Sequence, residues 1–152
     1  MKNKKSIAEL ELELAELKSK YSTVNISPLA PENGFPILPQ IQGIRFAAAA
    51  ANVKYSERND VMLIECAAGS SIAGLFTKSS TRSASVLDCQ NKLKIGINDK
   101  GAAILVNSGN SNAFTGSYGE ESVQKICLAV SNEMKIPFNS VFTASTGQIG
   151  RA

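Results

Sequence analysis

Residues 102–112 read AAILVNSGNSN, an apolar run of five residues that leads directly into a polar segment. A short apolar run of this kind predicts a buried strand. The Asn, Ser and Gly that follow tolerate positive φ and bond their own backbone, which predicts a loop. Residues 141–150, VFTASTGQIG, repeat this arrangement. We therefore expect two strands that each end in a polar loop, and loops of this kind often carry function.

The segment between these two strands predicts a helix over about residues 120–135. Apolar residues recur there at helical spacing, and Pro137 ends the pattern. Shorter apolar runs predict further strands at 61–64, 70–77 and 85–87, while the alanine run 47–51 is compatible with a helix or a strand. Because strands and helices are mixed, the predicted fold class is α/β or α+β.

Residues 1–25 form a separate element, an amphipathic helical extension, and residues 26–152 form the body. Ser6 and Glu9 match the capping-box pattern that begins a helix. An apolar seam follows at heptad spacing, formed by Ile7, Leu10, Leu14, Leu17 and Tyr21. Two interpretations stay open, since the seam can lie on the body of its own chain or associate with a second copy.

The composition limits the chemistry of the chain. Its 152 residues suit one domain, and they include no histidine. This excludes a Ser-His-Asp or Cys-His site and a His-ligated zinc or haem built from this chain alone. Sixteen basic and thirteen acidic residues give a net charge of +3, without the basic footprint of a nucleic-acid-binding protein.

The three cysteines form no CxxC pair, so we expect no metal site and no dense disulfide framework. Cys66 and Cys127 lie in apolar stretches and are predicted to be buried, reduced thiols. No signal peptide and no apolar run of membrane-spanning length is visible, which predicts a cytoplasmic protein without a membrane partner.

Two segments have the composition of functional loops. Residues 69–74 have the glycine spacing of a phosphate loop, but Leu75 and Phe76 replace the Lys-Ser/Thr pair that meets the phosphate. Residues 145–150 combine a threonine hydroxyl with a glycine amide, the two donors that an oxyanion hole needs. The alternative for this second segment is a Ser/Thr/Gly turn without chemistry.

Six ordered motifs resemble the amino-terminal half of the ornithine acetyltransferase (ArgJ) family, the bifunctional glutamate N-acetyltransferases of arginine biosynthesis. The resemblance covers the chain from about Ser27 to Ala152, and its specific parts are Asn-Ser-Gly-Asn and Ser-Thr-Gly. The motifs are SPLAP at 27–31, FP at 35–36, GIR at 43–45, AGLFT at 73–77, NSGNSNA at 107–113 and STGQIG at 145–150. The fold that this resemblance implies is a layered αββα sandwich of the DmpA/ArgJ-like kind, with only its amino-terminal part present.

The resemblance also implies an activity and a site. Family members cut themselves before a threonine, whose amine and hydroxyl become the base and the nucleophile of an N-terminal-nucleophile enzyme. The acetyl group moves from N-acetylornithine to this threonine and then to glutamate, and multifunctional members also use acetyl-CoA. The implied oxyanion hole is Thr146 and Gly147. The implied substrate-pocket candidates, which line or brace the same pocket, are Asn107, Ser108, Gly109, Asn110 and Asn112.

The implied partners are the two substrates, N-acetylornithine and glutamate, and the beta chain of the same precursor. Two alpha and two beta chains form a heterotetramer in this interpretation, with no cofactor other than acetyl-CoA as a co-substrate. No nucleic acid and no membrane is involved.

The sequence departs from the usual family pattern at Ser111 and Gln148 and near Ser79 and Ser85. It also stops at Ala152, before the region that holds the cleavage site and the nucleophilic threonine in the family. We therefore expect a truncated chain that is inactive alone. Two rival functions stay open: a non-catalytic assembly or binding module that uses the heptad helix, and a related self-processing aminopeptidase that hydrolyses the acyl intermediate.

Overall fold

The computed structural model of the chain describes residues 6–21, 28–29, 31, 33–34, 36–37, 39–96 and 99–150, with the side chains of helix 7–21 described as far as Leu17. The chain divides into two compact units, Met1–Pro39 and Gln40–Ala152. The predicted boundary after residue 25 falls in segment 22–27, outside the described residues.

The first unit contains helix α1, Ile7–Tyr21. Its start confirms the predicted capping box, because the N–H of Ser6 donates to Glu9 Oε2 at 2.7 Å and the N–H of Glu9 donates to Ser6 Oγ at 3.3 Å. These hydrogen bonds from Ser6 hold the pKa of Glu9 below its ordinary value. The described residues of the heptad seam, Ile7 through Leu17, are exposed. The side chain of Tyr21 lies outside the described residues, and what the seam contacts stays a prediction.

The second unit is a four-stranded sheet with two helices. Strands β1 to β3 are antiparallel neighbours, and β4 pairs with β3 in parallel, so the strand order follows the chain. The elements are β1 (Ile44–Ala49), β2 (Val61–Cys66), α2 (Ala84–Ile95), β3 (Ala102–Asn110), α3 (Gly116–Met134), a 3-10 turn (Phe138–Ser140) and β4 (Val141–Gln148). The mixed α/β class is confirmed.

Several predicted elements are present. Strands β2, β3 and β4 contain the apolar runs at 61–64, 102–106 and 141–144, and α3 contains most of the helix predicted at 120–135. The alanine run, compatible with either structure from sequence alone, contributes its first three residues to strand β1. Pairing with β2 decides this outcome, because Ala47 lies opposite Leu63 in the ladder and a five-residue run is too short to hold a helix by propensity.

Two predicted strands are wrong. Residues 70–77 form irregular backbone, in which Leu75 is fully exposed, so their apolar side chains do not share one buried face. Residues 85–87 belong to the first turns of α2. The Oγ of Ser83 accepts a hydrogen bond from the N–H of Val86 at 3.4 Å and caps this helix, which outweighs the strand preference of a single valine.

The core lies between the two helices and one face of the sheet. Its buried side chains come from α2, α3 and β4, and they are Ala84, Val123, Cys127 and Val141. Side chains alternate between the two faces of a strand. Up to Asn107 in β3 and Ser145 in β4, the odd-numbered residues therefore face the helices, and the even-numbered residues up to Ser108 and Thr146 project from the opposite face. Asn110, which follows Gly109 at φ +113°, departs from this alternation and lies on the helix side.

The described residues contain one sheet and one helix layer. The second sheet and second helix layer of the αββα sandwich implied by the resemblance are not among them. No helix in the described part of the chain combines the length and the apolar character that crossing a membrane requires.

Candidate functional site

The two polar motifs lie side by side at the carboxyl ends of β3 and β4. The parallel register pairs Asn107 with Ser145 and Gly109 with Gly147. The sequence predicts both segments to be loops that follow shorter strands. This is wrong, because β3 continues to Asn110 and β4 continues to Gln148, and the two strands stay paired up to these residues. Asn, Ser and Gly are poor strand formers on their own, but each strand supplies the backbone partners that the other needs.

A pair of glycines lets the two strands approach closely at this end. Gly109 has φ +113° and Gly147 has φ +130°, a region that side chains rarely allow. A Cβ on Gly147 would lie only 2.5 Å from the carbonyl carbon of Gly109. Both positions therefore need glycine for steric reasons, independently of any chemistry.

The asparagines of the first motif hold this end of β3 and join it to α3. Asn107 Nδ2 donates to the carbonyl of Asn110 at 2.8 Å, and Asn110 Oδ1 accepts from the N–H of Asn112 at 2.9 Å. Asn112 is buried at φ +51°; its Nδ2 donates to the carbonyl of Gly119 at 3.1 Å, and its Oδ1 accepts from Thr115 Oγ1 at 2.8 Å. These hydrogen bonds indicate that the asparagine side chains stabilise the backbone of this segment and connect it to α3.

The second motif presents its backbone to the outer edge of β4. Within the described residues no strand pairs with this edge. The carbonyl of Gln148 accepts from the N–H of Ser111 on the β3 side at 3.0 Å. Because backbone groups alternate in direction along a strand, the N–H groups of Ser145 and Gly147 point to the outer edge. The side chain of Thr146 projects from the sheet face opposite the helices.

Sequence reasoning missed a buried cation beside the same edge. Lys92 of α2 is 2% exposed, and its Nζ donates to the carbonyl of Val141 at 2.8 Å and to Cys127 Sγ at 3.1 Å. Nζ also pairs with Asp88 Oδ2 at 2.7 Å and lies 4.2 Å from the ring centroid of Phe138. The i,i+4 spacing of Asp88 and Lys92 was the one available signal, but such pairs usually lie in solvent.

The cysteines follow the predicted pattern in part. Cys127 is fully buried, and burial raises the pKa of its thiol. Cys89, which sequence reasoning did not select, is also buried, donates from Sγ to the carbonyl of Thr143 at 3.3 Å, and has its pKa raised by burial. Cys66 is only partly buried, which corrects the prediction, and all three thiols are free.

Together the side chains of Cys89 and Lys92 occupy the outer carbonyls of the first half of β4. Covering an edge in this way prevents pairing with a further strand. The amides of Ser145 and Gly147 lie beyond this covered part of the edge, next to Thr146.

A cleft of about 370 Å³ lies on the helix side of the sheet. Of the predicted pocket residues, Asn107, Asn110 and Asn112 line it. Ser108, Gly109, Thr146 and Gly147 do not belong to its lining, so the structure does not bring all seven predicted site residues around one cavity. Whether the asparagines also contact a substrate held at Thr146 stays a prediction.

No group of three or more His, Cys, Asp or Glu side chains suited to a metal ion occurs within residues 6–21, 28–96 and 99–150 as far as the structure describes them. Hydroxyls, amides and backbone N–H groups are the functional groups gathered at the carboxyl ends of β3 and β4. Such groups bind and stabilise oxygen anions and carbonyls, and they do not by themselves activate a nucleophile.

Comparison with known proteins identifies relatives of the chain. It is 57% identical over 125 residues to the arginine biosynthesis bifunctional protein ArgJ of Ruegeria pomeroyi, covering 82% of this chain and 30% of that protein. It is 43% identical over 128 residues to the ArgJ protein of Mesorhizobium japonicum, covering 84% of this chain and 30% of that protein. The chain thus spans about 30% of the length of the curated relatives it matches.

Solved structures of the same kind share its fold. The arginine biosynthesis bifunctional protein of Bacillus halodurans superposes with a TM-score of 0.65 at 27% identity, over 72% of this chain and 56% of that one. An ornithine acetyltransferase of Mycobacterium tuberculosis, solved in complex with ornithine, superposes with a TM-score of 0.61 at 31% identity, over 72% of this chain and 58% of that one. The ArgJ family model matches residues 45–152, more than half of the sequence, and the chain belongs to the ArgJ family.

Proposed function

We propose that this chain supplies the oxyanion hole of an acetyltransferase that moves an acetyl group from N-acetylornithine to glutamate. The names of the relatives, arginine biosynthesis bifunctional proteins, and the ornithine bound to one structural neighbour support the choice of pathway and substrate. The proposal includes autocatalytic cleavage of a precursor, a heterotetramer of alpha and beta chains in the cytoplasm, and no cofactor beyond acetyl-CoA as a co-substrate.

The observation that carries this proposal is the outer edge of β4. An oxyanion hole needs preorganised donors that no other group already uses. The N–H of Gly147 points away from β3, and the hydroxyl of Thr146 lies next to it on an exposed stretch of strand. The close approach of Gly109 and Gly147 fixes this amide, so little reorganisation is needed when charge develops.

The proposed reaction uses this placement. A threonine hydroxyl from outside these 152 residues attacks the acetamide carbonyl of N-acetylornithine, and its own free amine takes the proton. The carbonyl oxygen becomes an oxyanion that accepts hydrogen bonds from Gly147 N–H and Thr146 Oγ1. The protonated threonine amine returns this proton to the leaving nitrogen, and the intermediate collapses to an acetyl ester and free ornithine. The unprotonated amine of glutamate then attacks the ester and gives its proton to the threonine amine, while the same two donors stabilise the second oxyanion. This intermediate collapses to N-acetylglutamate as the bond to the threonine oxygen breaks, and the threonine amine returns the proton to that oxygen.

The test uses a chimera of Ruegeria pomeroyi ArgJ in which this chain replaces the 125 matched residues. We expect the chimera to form N-acetylglutamate from N-acetylornithine and glutamate. Thr146→Ala should lower kcat by about 10- to 1,000-fold, the cost of losing one oxyanion donor. Thr146→Ser keeps the hydroxyl and should retain most of the activity. Ser117→Ala removes an exposed hydroxyl in the first turn of α3 and serves as the matched control.

An active chimera whose kcat is unchanged by Thr146→Ala would contradict the assigned donor. Release of acetate without N-acetylglutamate would favour the self-processing aminopeptidase over the transferase. The 152-residue chain assayed alone should be inactive, because the proposed nucleophile is not among its residues.

A further inference from the structure

We propose that the cleft on the helix side of the sheet is a second binding site, for a small ligand that presents an uncharged amide on a branched aliphatic body. Its volume of about 370 Å³ lies within the usual range of small-molecule sites. The sheet forms its floor, and the first turn of α2 and the side of α3 form its walls. The inference does not depend on the acetyl-transfer proposal.

A buried hydroxyl in the floor lacks a partner. Thr143 is 7% exposed and lines the cleft, and its Oγ1 has no hydrogen-bond partner within the described residues. Leaving a buried hydroxyl unpaired is destabilising, because it has lost its hydrogen bonds to water. A ligand carbonyl that accepts a hydrogen bond from this hydroxyl would remove that cost, so this part of the cleft suits an acceptor.

Polar side chains next to Thr143 also have hydrogen-bonding capacity left for a ligand. Ser85 and Ser145 share one hydrogen bond at 3.0 Å between their hydroxyls, which leaves one hydroxyl hydrogen for a further acceptor. Asn107 uses its amide nitrogen on the carbonyl of Asn110, which leaves its amide oxygen for a donor. Two donors beside one acceptor complement a primary amide, whose oxygen accepts twice and whose nitrogen donates.

The remaining lining residues indicate which kind of ligand body fits the cleft. None of the twelve lining residues that the structure describes carries a charge, so a buried carboxylate or ammonium would have no partner among them. Leu105, Val123 and Ile126 form the apolar part of the wall. A branched aliphatic group fills this part and removes apolar surface from water.

The cleft is separate from the outer edge of β4 that presents Thr146. Ser145 and Thr146 are consecutive strand residues, so their side chains project from opposite faces of the sheet. Ser145 lines the cleft, whereas Thr146 does not. A ligand can therefore occupy the cleft without touching the hydroxyl assigned to acetyl transfer.

The test is a titration of the isotopically labelled 152-residue chain with isovaleramide, followed by amide chemical shifts. We expect saturable binding in about the millimolar range for a ligand of this size, with the largest shifts at Thr143, Ser145 and Ser85. Isovalerate, of the same shape but charged, should bind at least about tenfold more weakly because its carboxylate loses hydration. Absent shifts, or shifts centred elsewhere, would overturn the proposal.

Thr143→Val removes the unpaired hydroxyl and keeps the shape of the side chain. It should weaken isovaleramide binding about three- to tenfold, the worth of one hydrogen bond. Ser140→Ala is the matched control, since Ser140 Oγ is also buried and unpaired among the described residues but lies outside the cleft. Equal affinity of Thr143→Val and the unsubstituted chain would contradict the assigned donor.

Two further measurements test whether binding occurs in the cleft and whether the cleft is also accessible in a longer protein. Ser122→Trp places a large side chain at the exposed rim and should abolish binding while thermal stability is retained. The Ruegeria chimera should bind isovaleramide with the same affinity as the 152-residue chain. Loss of binding in the chimera would mean that the rest of the protein fills the cleft, which overturns the proposal.

Discussion

Lys92→Met should destabilise the second unit strongly. The substitution keeps the length of the side chain but leaves the carboxylate of Asp88, whose side chain is 10% exposed, without its cation. It also removes the donor to the carbonyl of Val141 and to Cys127 Sγ. Breaking a buried ion pair by removing one partner costs about 3–5 kcal/mol, a large fraction of the stability of a typical domain.

The assay is urea unfolding of the 152-residue chain, followed by circular dichroism and extrapolated linearly to water. Lys125→Met is the matched control, because Lys125 forms the same i,i+4 pair with Glu121 at 3.9 Å on the exposed side of α3. Removing this exposed pair should change the free energy of unfolding by less than about 1 kcal/mol.

A second variant tests the physical reason. If the unpaired carboxylate causes most of the loss, Asp88→Asn combined with Lys92→Met should be more stable than Lys92→Met alone, by about 1–3 kcal/mol of coupling. The reasoning is refuted if Lys92→Met costs no more than Lys125→Met, or if the double variant loses the sum of the two single losses.

Three other substitutions or treatments have defined outcomes. Gly119→Ala places a Cβ 2.0 Å from Thr115 Oγ1, so it should lower the free energy of unfolding by about 1–3 kcal/mol, although alanine normally favours a helix; a raised urea midpoint would contradict this. The carboxylate of Asp60 accepts hydrogen bonds from the N–H groups of Ala51 and Val53, and these lower its pKa in the folded chain. Its contribution to stability is therefore present above pH 3.8, the ordinary pKa, and is lost as the pH falls through the lower pKa of the folded chain. Asp60→Asn should flatten this part of the curve of unfolding free energy against pH. Iodoacetamide at neutral pH should label Cys66 before Cys127, and mass spectrometry showing the reverse order would exclude the described burial.

The sequence predicts the central elements of the fold because their apolar periodicity is strong. Strands β2, β3 and β4 and helix α3 all contain an apolar run or face that is readable locally. The ends of β3 and β4 are not predictable in this way. Their last residues are Asn, Ser, Thr, Gly and Gln, which pair only because the other strand lies alongside. Tertiary pairing there overrides local preference.

Helix α2 shows a second limit of local reasoning. The structure shows an N-cap at Ser83 and basic residues in the last turn of this helix, whereas the short apolar run at 85–87 predicted a strand. Lys92 is buried because α2 lies against the outer edge of β4, where the carbonyl of Val141 needs a donor. This carbonyl needs a side-chain donor because of the position of β4 in the strand order, and strand order cannot be read from a local sequence pattern.

The family resemblance identifies Thr146 and Gly147 as site residues but does not say where their hydroxyl and N–H groups point. The register of β3 and β4 determines these orientations. Because β3 and β4 are parallel, α3 must cross over the sheet, and it covers the face that carries Val141, Thr143 and Ser145. The same alternation places Thr146 on the other face and turns the N–H of Gly147 to the outer edge. Within the part of the chain that the structure describes, residues 145–147 of β4 therefore present a face covered by the helices, an outer edge that no strand pairs with, and an opposite face that carries the exposed Thr146. Substitutions at Thr143 and Thr146 should for this reason act independently, the first on ligand binding in the cleft and the second on acetyl transfer.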